Sequence, residues 1–334
     1  MTLSTGRIGR HFPCDPDAER PVGRLDDAMD LVHEQVSGAW ETAHAILEEE
    51  LGTEPFIGLQ AVANEFLGLA GYYSLADFGD GHERIRSYTE SAANALVGRL
   101  QATRQPVGGA AVTMIIEDEQ YRVPGIGGNE PGPAASDFIS ALSLGLITRD
   151  PRLLAFLVGN ADRPGFELPR ARDYATLWAL GWQQLHRGEA GVRDTLRQAW
   201  SAASDSSDEY AVLCAAPAIR ALECVATGSN AAVDTAIGEA LQQHRRFWGT
   251  PERCLAPVGF VSWHLLGLAG FAADRGVPVT VESGYLPPAL LERGWTIPLA
   301  QEIIARPRVT HDDQGLPLHP LRLGIDGLWE LLPQ

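Results

Sequence analysis

Apolar residues recur along most of this chain at steps of three and four, the period of a helix with one face in a core. Leu25, Met29, Val32, Val36, Trp40, Ala43 and Leu47 form one such stripe, with Gly38 placed to bend or divide it. Leu59, Val62, Phe66, Leu69 and Tyr73 form a second, and Ile85, Tyr88, Ala92, Leu96 and Leu100 a third. The turn "FGDGHE" lies between the last two. Short connections of this kind predict antiparallel neighbours.

The period breaks between residues 105 and 133. "GGAAVTMIIEDEQYRVPGIGGNEPGP" holds a β-like run, Val112 to Ile116, then an acidic tip, then "QYRV" before a Gly-Pro loop. A small hairpin fits this pattern, and so does an exposed loop with a few apolar anchors. Helical patterning resumes near Ala134 and continues to about Asp274. Within it, "LHRGEAGVRDTLRQA" (185–199) is echoed by "VATGSNAAVDTAIGEA" (225–240), with Gly188 and Gly228 forty residues apart. A helix, a glycine turn and a helix repeated near that period is the mark of stacked helical hairpins. Two copies leave a TPR-like stack and an irregular bundle both open.

The fold class expected is therefore all-α, mainly antiparallel helical hairpins, with a minor β hairpin or short extended segments. One continuous domain is expected. Within it lie a loosely ordered arm (1–22), a helical part (23–104), the loop or hairpin (105–133), a helical-hairpin part (134–300) and a tail (301–334).

Composition changes this picture mainly through charge. Of 334 residues, 43 are acidic and 26 basic, a net charge of −17, and every basic residue is arginine. That balance opposes nucleic acid, whose phosphates need a basic footprint, and anionic lipid as well. It favours a basic protein partner. No apolar run is long enough to predict a membrane span, and "MTLSTGRIGRHFPCDPDAERP" lacks the apolar core of a secretory signal, so a cytoplasmic location is expected. Cys14, Cys214, Cys224 and Cys254 form no CxxC pair, which favours three core residues and one N-terminal thiol over a disulfide or zinc framework.

The chain carries few of the motifs that chemistry needs. His33-Glu34 and His82-Glu83 are followed, four residues after each histidine, by Ser37 and Arg86, where a zincin helix needs a second histidine. "GIGGNEPG" has Glu130 at the third glycine position of a dinucleotide loop and prolines where the helix should open. There is no phosphate-binding P-loop and no GxSxG elbow. His311, Asp312, Asp313 and His319 cluster near the C-terminus, where a solvated loop is the plainer reading. His264, in "APVGFVSWHLLGLAGFAA", reads as a hydrogen-bonded core histidine. No catalytic residue, metal ligand or cofactor site is expected.

Candidate partner-binding residues are acidic or aromatic. Glu48, Glu49 and Glu50 crowd a helix C-terminus, where the helix dipole disfavours negative charge. Glu117, Asp118 and Glu119 form the acidic tip. Glu282 and Tyr285 lie in "RGVPVTVESGYLPPALLERG". There Gly276 is placed to cap the preceding helix, and Val277, Val279 and Val281 alternate with polar or proline positions. Pro278 confines that run to an edge or to a lone strand lying across helices. Tyr285 is either an interface anchor or a plug closing the core.

A helix ending in "LAGFAADRG", the extended "VPVTVES" and then "YLPPALL" resembles the C-terminal block of the immunity 49 family of bacterial polymorphic-toxin systems. "RDPRLLAFLVG" and "FWGTPERCLAPVGFVSWHLLGLA" are similar in kind, and the specific likeness spans residues 245–292. The resemblance implies a mostly helical protein that binds and neutralises a cognate toxin by occlusion, without chemistry. Rival expectations are a TPR-like scaffold holding a protein or peptide partner, and an enzyme drawing on His311, Asp312 or His82.

Overall fold

The computed structural model describes residues 38–39, 41–47, 55–75, 81–117, 119–127, 134–160, 163–164, 166–168, 173–228, 230–292, 321–323 and 329–331. Residues 41–47 are helical. After them come α1 (Pro55–Leu75), α2 (Gly81–Arg104), β1 (Val112–Ile116), β2 (Glu119–Val123), α3 (Ala135–Thr148) and α4 (Pro151–Val158). The two-residue strands β3 (Gly159–Asn160) and β4 (Arg163–Pro164) lead to α5 (Tyr174–Arg187) and α6 (Val192–Ser204). A π-helical turn (Ala211–Ala215) opens α7 (Ala216–Thr227), followed by α8 (Asn230–Trp248), α9 (Trp263–Asp274) and the single turn α10 (Pro288–Leu291). β5 (Leu321–Leu323) and β6 (Trp329–Leu331) pair near the C-terminus.

The segment "ASDFISALSLGLIT" is mostly apolar, its polar residues small apart from Asp137 near its start, and as α3 it buries eleven of its fourteen residues. A helix this apolar must be enclosed by neighbours. Here α2, α4, α5, α9 and α10 all pack against α3. Its closest partner is α9, also mostly apolar, with Leu265 to Ala272 buried without a break. Gly267 sets this approach: a Cβ there would lie 2.7 Å from the carbonyl oxygen of Ser143.

α1 and α2 pair over their whole length through the stripes that define them. Leu59, Val62, Phe66 and Leu69 are fully buried, and so nearly are Ile85, Tyr88, Leu96 and Leu100. Of the first stripe, Ala43 and Leu47 are buried and Val36 and earlier members lie outside the described residues. Arg99 joins three helices from inside. Its Nε donates to the Phe56 carbonyl (3.0 Å), its Nη1 to Gln60 Oε1 (2.7 Å) and to the Asp137 carboxylate (2.8 Å), with the guanidinium over the Phe56 ring.

The run at 112–123 is a hairpin, not a loop, in register Val112↔Val123, Met114↔Tyr121 and Ile116↔Glu119. Its apolar alternation lays Val112, Met114 and Ile116 onto α2. The 185–240 echo is structural too. Gly188 (φ +67°) and Gly228 (φ +71°) both take left-handed C-caps, the conformation glycine adopts without a Cβ penalty, and α5–α6 and α7–α8 pack as successive hairpins. Among the described residues the stack goes no further, because α9 turns away to cover α3.

Candidate functional site

The acidic tip stands on a strained residue. Glu117 has φ +53°, a left-handed conformation that costs a residue with a Cβ on the order of 1 kcal/mol. Two contacts hold it: its backbone N–H donates to Ser91 Oγ (3.0 Å), and its carboxylate lies 3.1 Å from His44 Nε2. Glu119, exposed at the start of β2, accepts from the Tyr121 hydroxyl (2.9 Å). Thus Glu117 and Glu119 share one hairpin end, while Asp118 and Glu48, Glu49 and Glu50 lie outside the described residues.

Glu282 and Tyr285 belong to the segment after α9. Gly276 caps that helix with φ +76°. Residues 277–282 then belong to no helix or strand, and burial alternates along them: Val277 is buried, Val279 and Val281 half-buried, and Pro278, Thr280 and Glu282 exposed. The run is strapped to α8 by Asp234, which accepts from the Thr280 backbone N–H (2.8 Å) and contacts its hydroxyl. Tyr285 is no exposed anchor. It is fully buried, edge-on to His244 (4.8 Å between centroids), and its carbonyl accepts from Ser262 N (3.0 Å). The Pro-Pro turn drives Leu286, Ala289 and Leu290 inward with it, so the tyrosine plugs the core.

Beside that plug lies a cavity of about 200 Å³, lined among others by Asn64, Tyr210, Cys214, His244, Trp263 and His264. His264 touches Ser143 Oγ through Nδ1 (2.9 Å) and the Tyr210 hydroxyl through Nε2 (3.1 Å). Ser143 Oγ donates to the Ile139 carbonyl (2.8 Å). One proton arrangement satisfies all of them: Tyr210 donates to Nε2, Nδ1–H donates to Ser143, and Ser143 donates to Ile139. The imidazole is neutral in that chain, and desolvation agrees, lowering its pKa to about 4. Burial also pushes the Cys214 thiol up to about 12 and raises the Tyr210 phenol. Burial thus keeps the Cys214 thiol protonated near neutrality, and His264 is neutral with both ring nitrogens engaged, so neither stands ready as a nucleophile or proton donor. The sequence shows His264 as a polar residue in an apolar helix; its partners, 54 and 121 residues away in the chain, leave no local signal.

A second buried set joins α2 to the start of α4. Asp150 caps α4 through Arg152 N (2.8 Å) and pairs with the Arg152 guanidinium (2.6 Å). Burial first, then the Asp150 charge, raises the nearby Glu90 carboxyl to about 7, with Arg152 opposing. Next to it in sequence, Arg149 bridges helix ends: it pairs with Asp274 (2.9 Å) and donates to the carbonyls of Leu291 (3.2 Å) and Glu292 (3.3 Å). Among the described residues no group of three or more His, Cys, Asp or Glu side chains is placed to hold a metal ion. No described helix is long and apolar enough to cross a membrane.

Residues 81–290, from the first turn of α2 into α10, match the family model of immunity protein 49. The chain belongs to the immunity protein 49 family. Neither the curated proteins nor the solved structures contain a match to it. The family segment spans the hairpin, the central α3, both stacked hairpins, the Tyr285 plug and the cavity wall apart from the part that α1 supplies. It extends the likeness seen at 245–292 upstream to α2. An immunity role, and with it a toxin protein as partner, follows from the family.

Proposed function

We propose that this immunity protein 49 member neutralises its toxin by binding over it, one copy to one, without catalysing a reaction. Family membership over residues 81–290 is the observation that carries this reading. The chemistry of the interior supports it: burial keeps the Cys214 thiol protonated, both ring nitrogens of His264 are engaged by Ser143 and Tyr210, and the relay from Tyr210 to Ser143 ends on a backbone carbonyl. The net charge of −17 suits a toxin with a basic face. In this proposal the acidic groups Glu48–Glu50, Glu117–Glu119 and Glu282 contribute to the field that draws such a face in, and binding takes place in the cytoplasm. Nucleic acid and membrane are not partners.

The test is co-expression with the toxin domain encoded beside the gene, scored by cell survival and by co-purification. Survival together with an equimolar complex is the expected outcome. Survival with the toxin covalently altered or degraded, and no complex, would replace occlusion by an enzymatic mechanism.

A further inference from the structure

The cavity beside the Tyr285 plug has one part of its wall made by the start of α9. Ser262, just before the helix, and Trp263, His264 and Leu265 of its first turn all line it. A helix begins with backbone N–H groups that its own carbonyls cannot reach, and a serine in the position before it ordinarily accepts from one of them. Ser262 does not: its hydroxyl makes no capping bond. Among the described residues the N–H groups of Trp263, His264 and Leu265 donate to no acceptor, and the first bonded amide of the helix is that of Leu266, which donates to the Ser262 carbonyl (2.8 Å). With Ser262 only 4% exposed, the cavity is the space that its unpartnered hydroxyl faces. Ser140 of α3 adds a second lining hydroxyl with no partner among the described residues.

Most of the remaining wall is apolar. Leu67 of α1, Leu144 of α3, Ala218 of α7, Ala240 and Trp248 of α8, and Val261 contribute to it. No Asp, Glu, Lys or Arg is among the described residues that line it. The His264 ring and the Tyr210 hydroxyl are engaged with each other and with Ser143. An apolar cavity of about 150 Å³ takes up benzene, so this one, of about 200 Å³, has room for a ring with about two or three further heavy atoms. A hydrocarbon there would leave the donors of the helix start bare. An anion would find those donors but no cation in the wall, inside a chain of net charge −17. A neutral molecule with an apolar body and one acceptor oxygen meets both conditions.

We infer that this cavity is a binding site for a small neutral carbonyl compound with an aromatic or alicyclic body, its oxygen accepting from the Ser262 hydroxyl and the free N–H groups at the start of α9, its ring against Leu144, Trp248 and Val261. The inference goes beyond the immunity reading and does not depend on it.

Acetophenone is the probe, with ethylbenzene as a similar shape lacking the oxygen and benzoate as a charged counterpart. The full chain, labelled with nitrogen-15, reports through the indole N–H signals of Trp248 and Trp263, each identified by its variant, Trp248→Phe or Trp263→Phe. Acetophenone is expected to shift both signals saturably, with a Kd of about 0.5 mM. It should bind about tenfold more tightly than ethylbenzene, and benzoate should not bind. Ser262→Ala removes a hydroxyl that holds nothing in the protein, so the melting temperature should stay unchanged while acetophenone binds about fivefold more weakly and ethylbenzene as before. Ala240→Leu fills the cavity and should abolish binding of both. Acetophenone that does not saturate, that shifts neither indole, that ethylbenzene or benzoate equals, or that binds Ser262→Ala as tightly as the wild type overturns the site and leaves a cavity for water alone. The immunity reading stands apart from every one of these results, because no toxin enters the experiment.

Discussion

Arg99 is a guanidinium held inside the protein, 7% exposed, and its position is understandable only through its acceptors: a helix-start carbonyl and an amide from α1 and a carboxylate from α3. Removing it leaves Asp137 without its ion-pair partner. Arg99→Met is expected to cost about 3 kcal/mol, as for one partner deleted from a buried pair, visible as a lower urea midpoint with unchanged slope. Arg99→Lys keeps the charge but loses the planar fork, and a loss of about 1 to 2 kcal/mol should follow. Glu90 makes a different prediction. Its folded pKa of about 7 lies above the ordinary carboxyl value, so the folded state holds the proton more tightly than the unfolded chain. Its contribution is therefore fully present below about pH 4.5 and declines as pH rises through 7, by about 3 kcal/mol in all. Glu90→Gln should flatten that slope and raise stability at pH 8; an unchanged pH dependence of unfolding would show that Glu90 is not the group responsible.

At the scale of elements, what the sequence made legible was whatever repeats locally. The stripes in α1 and α2, the alternation in β1, the paired glycine caps and the lone extended run behind Pro278 all announce themselves through spacing that backbone geometry imposes. The acidic groups were visible as charges, but their use was not: the contact of Glu117 with His44 joins residues 73 apart. Tyr285 was legible as unusual and ambiguous in direction, because a tyrosine beside a Pro-Pro turn can face either way; His244 and Ser262 decide it. Two element-level predictions follow from geometry. Gly267→Val places a side chain against the α3 backbone and should lower stability by about 3 kcal/mol, measurable as a lower melting temperature. Asp234→Ala releases the strap, costing about 1 kcal/mol, and amide exchange over 277–282 should quicken while α8 itself stays protected.

For the whole molecule, the excess of 43 acidic over 26 basic residues sets how a partner arrives more than how firmly it stays. Raising ionic strength from roughly 50 to 500 mM should slow association with a basic toxin by about tenfold or more, with a much smaller change in dissociation. Stopped-flow rates across that series separate the two. Equal effects on both constants would place the charges inside the contact and not around it.

The enclosure of α3 has a consequence for a protein made from one end to the other. Its walls come from α2, which precedes it, and from α9 and α10, which follow more than a hundred residues later. A chain that has left the ribosome only as far as Trp248 presents a mostly apolar helix with one side bare, exposed to chaperones and to other nascent chains. The fold can close only when the Tyr285 plug and the helix ends gathered by Arg149 have emerged. A chain cut short before α9 and α10 is expected to leave α3 uncovered on that side.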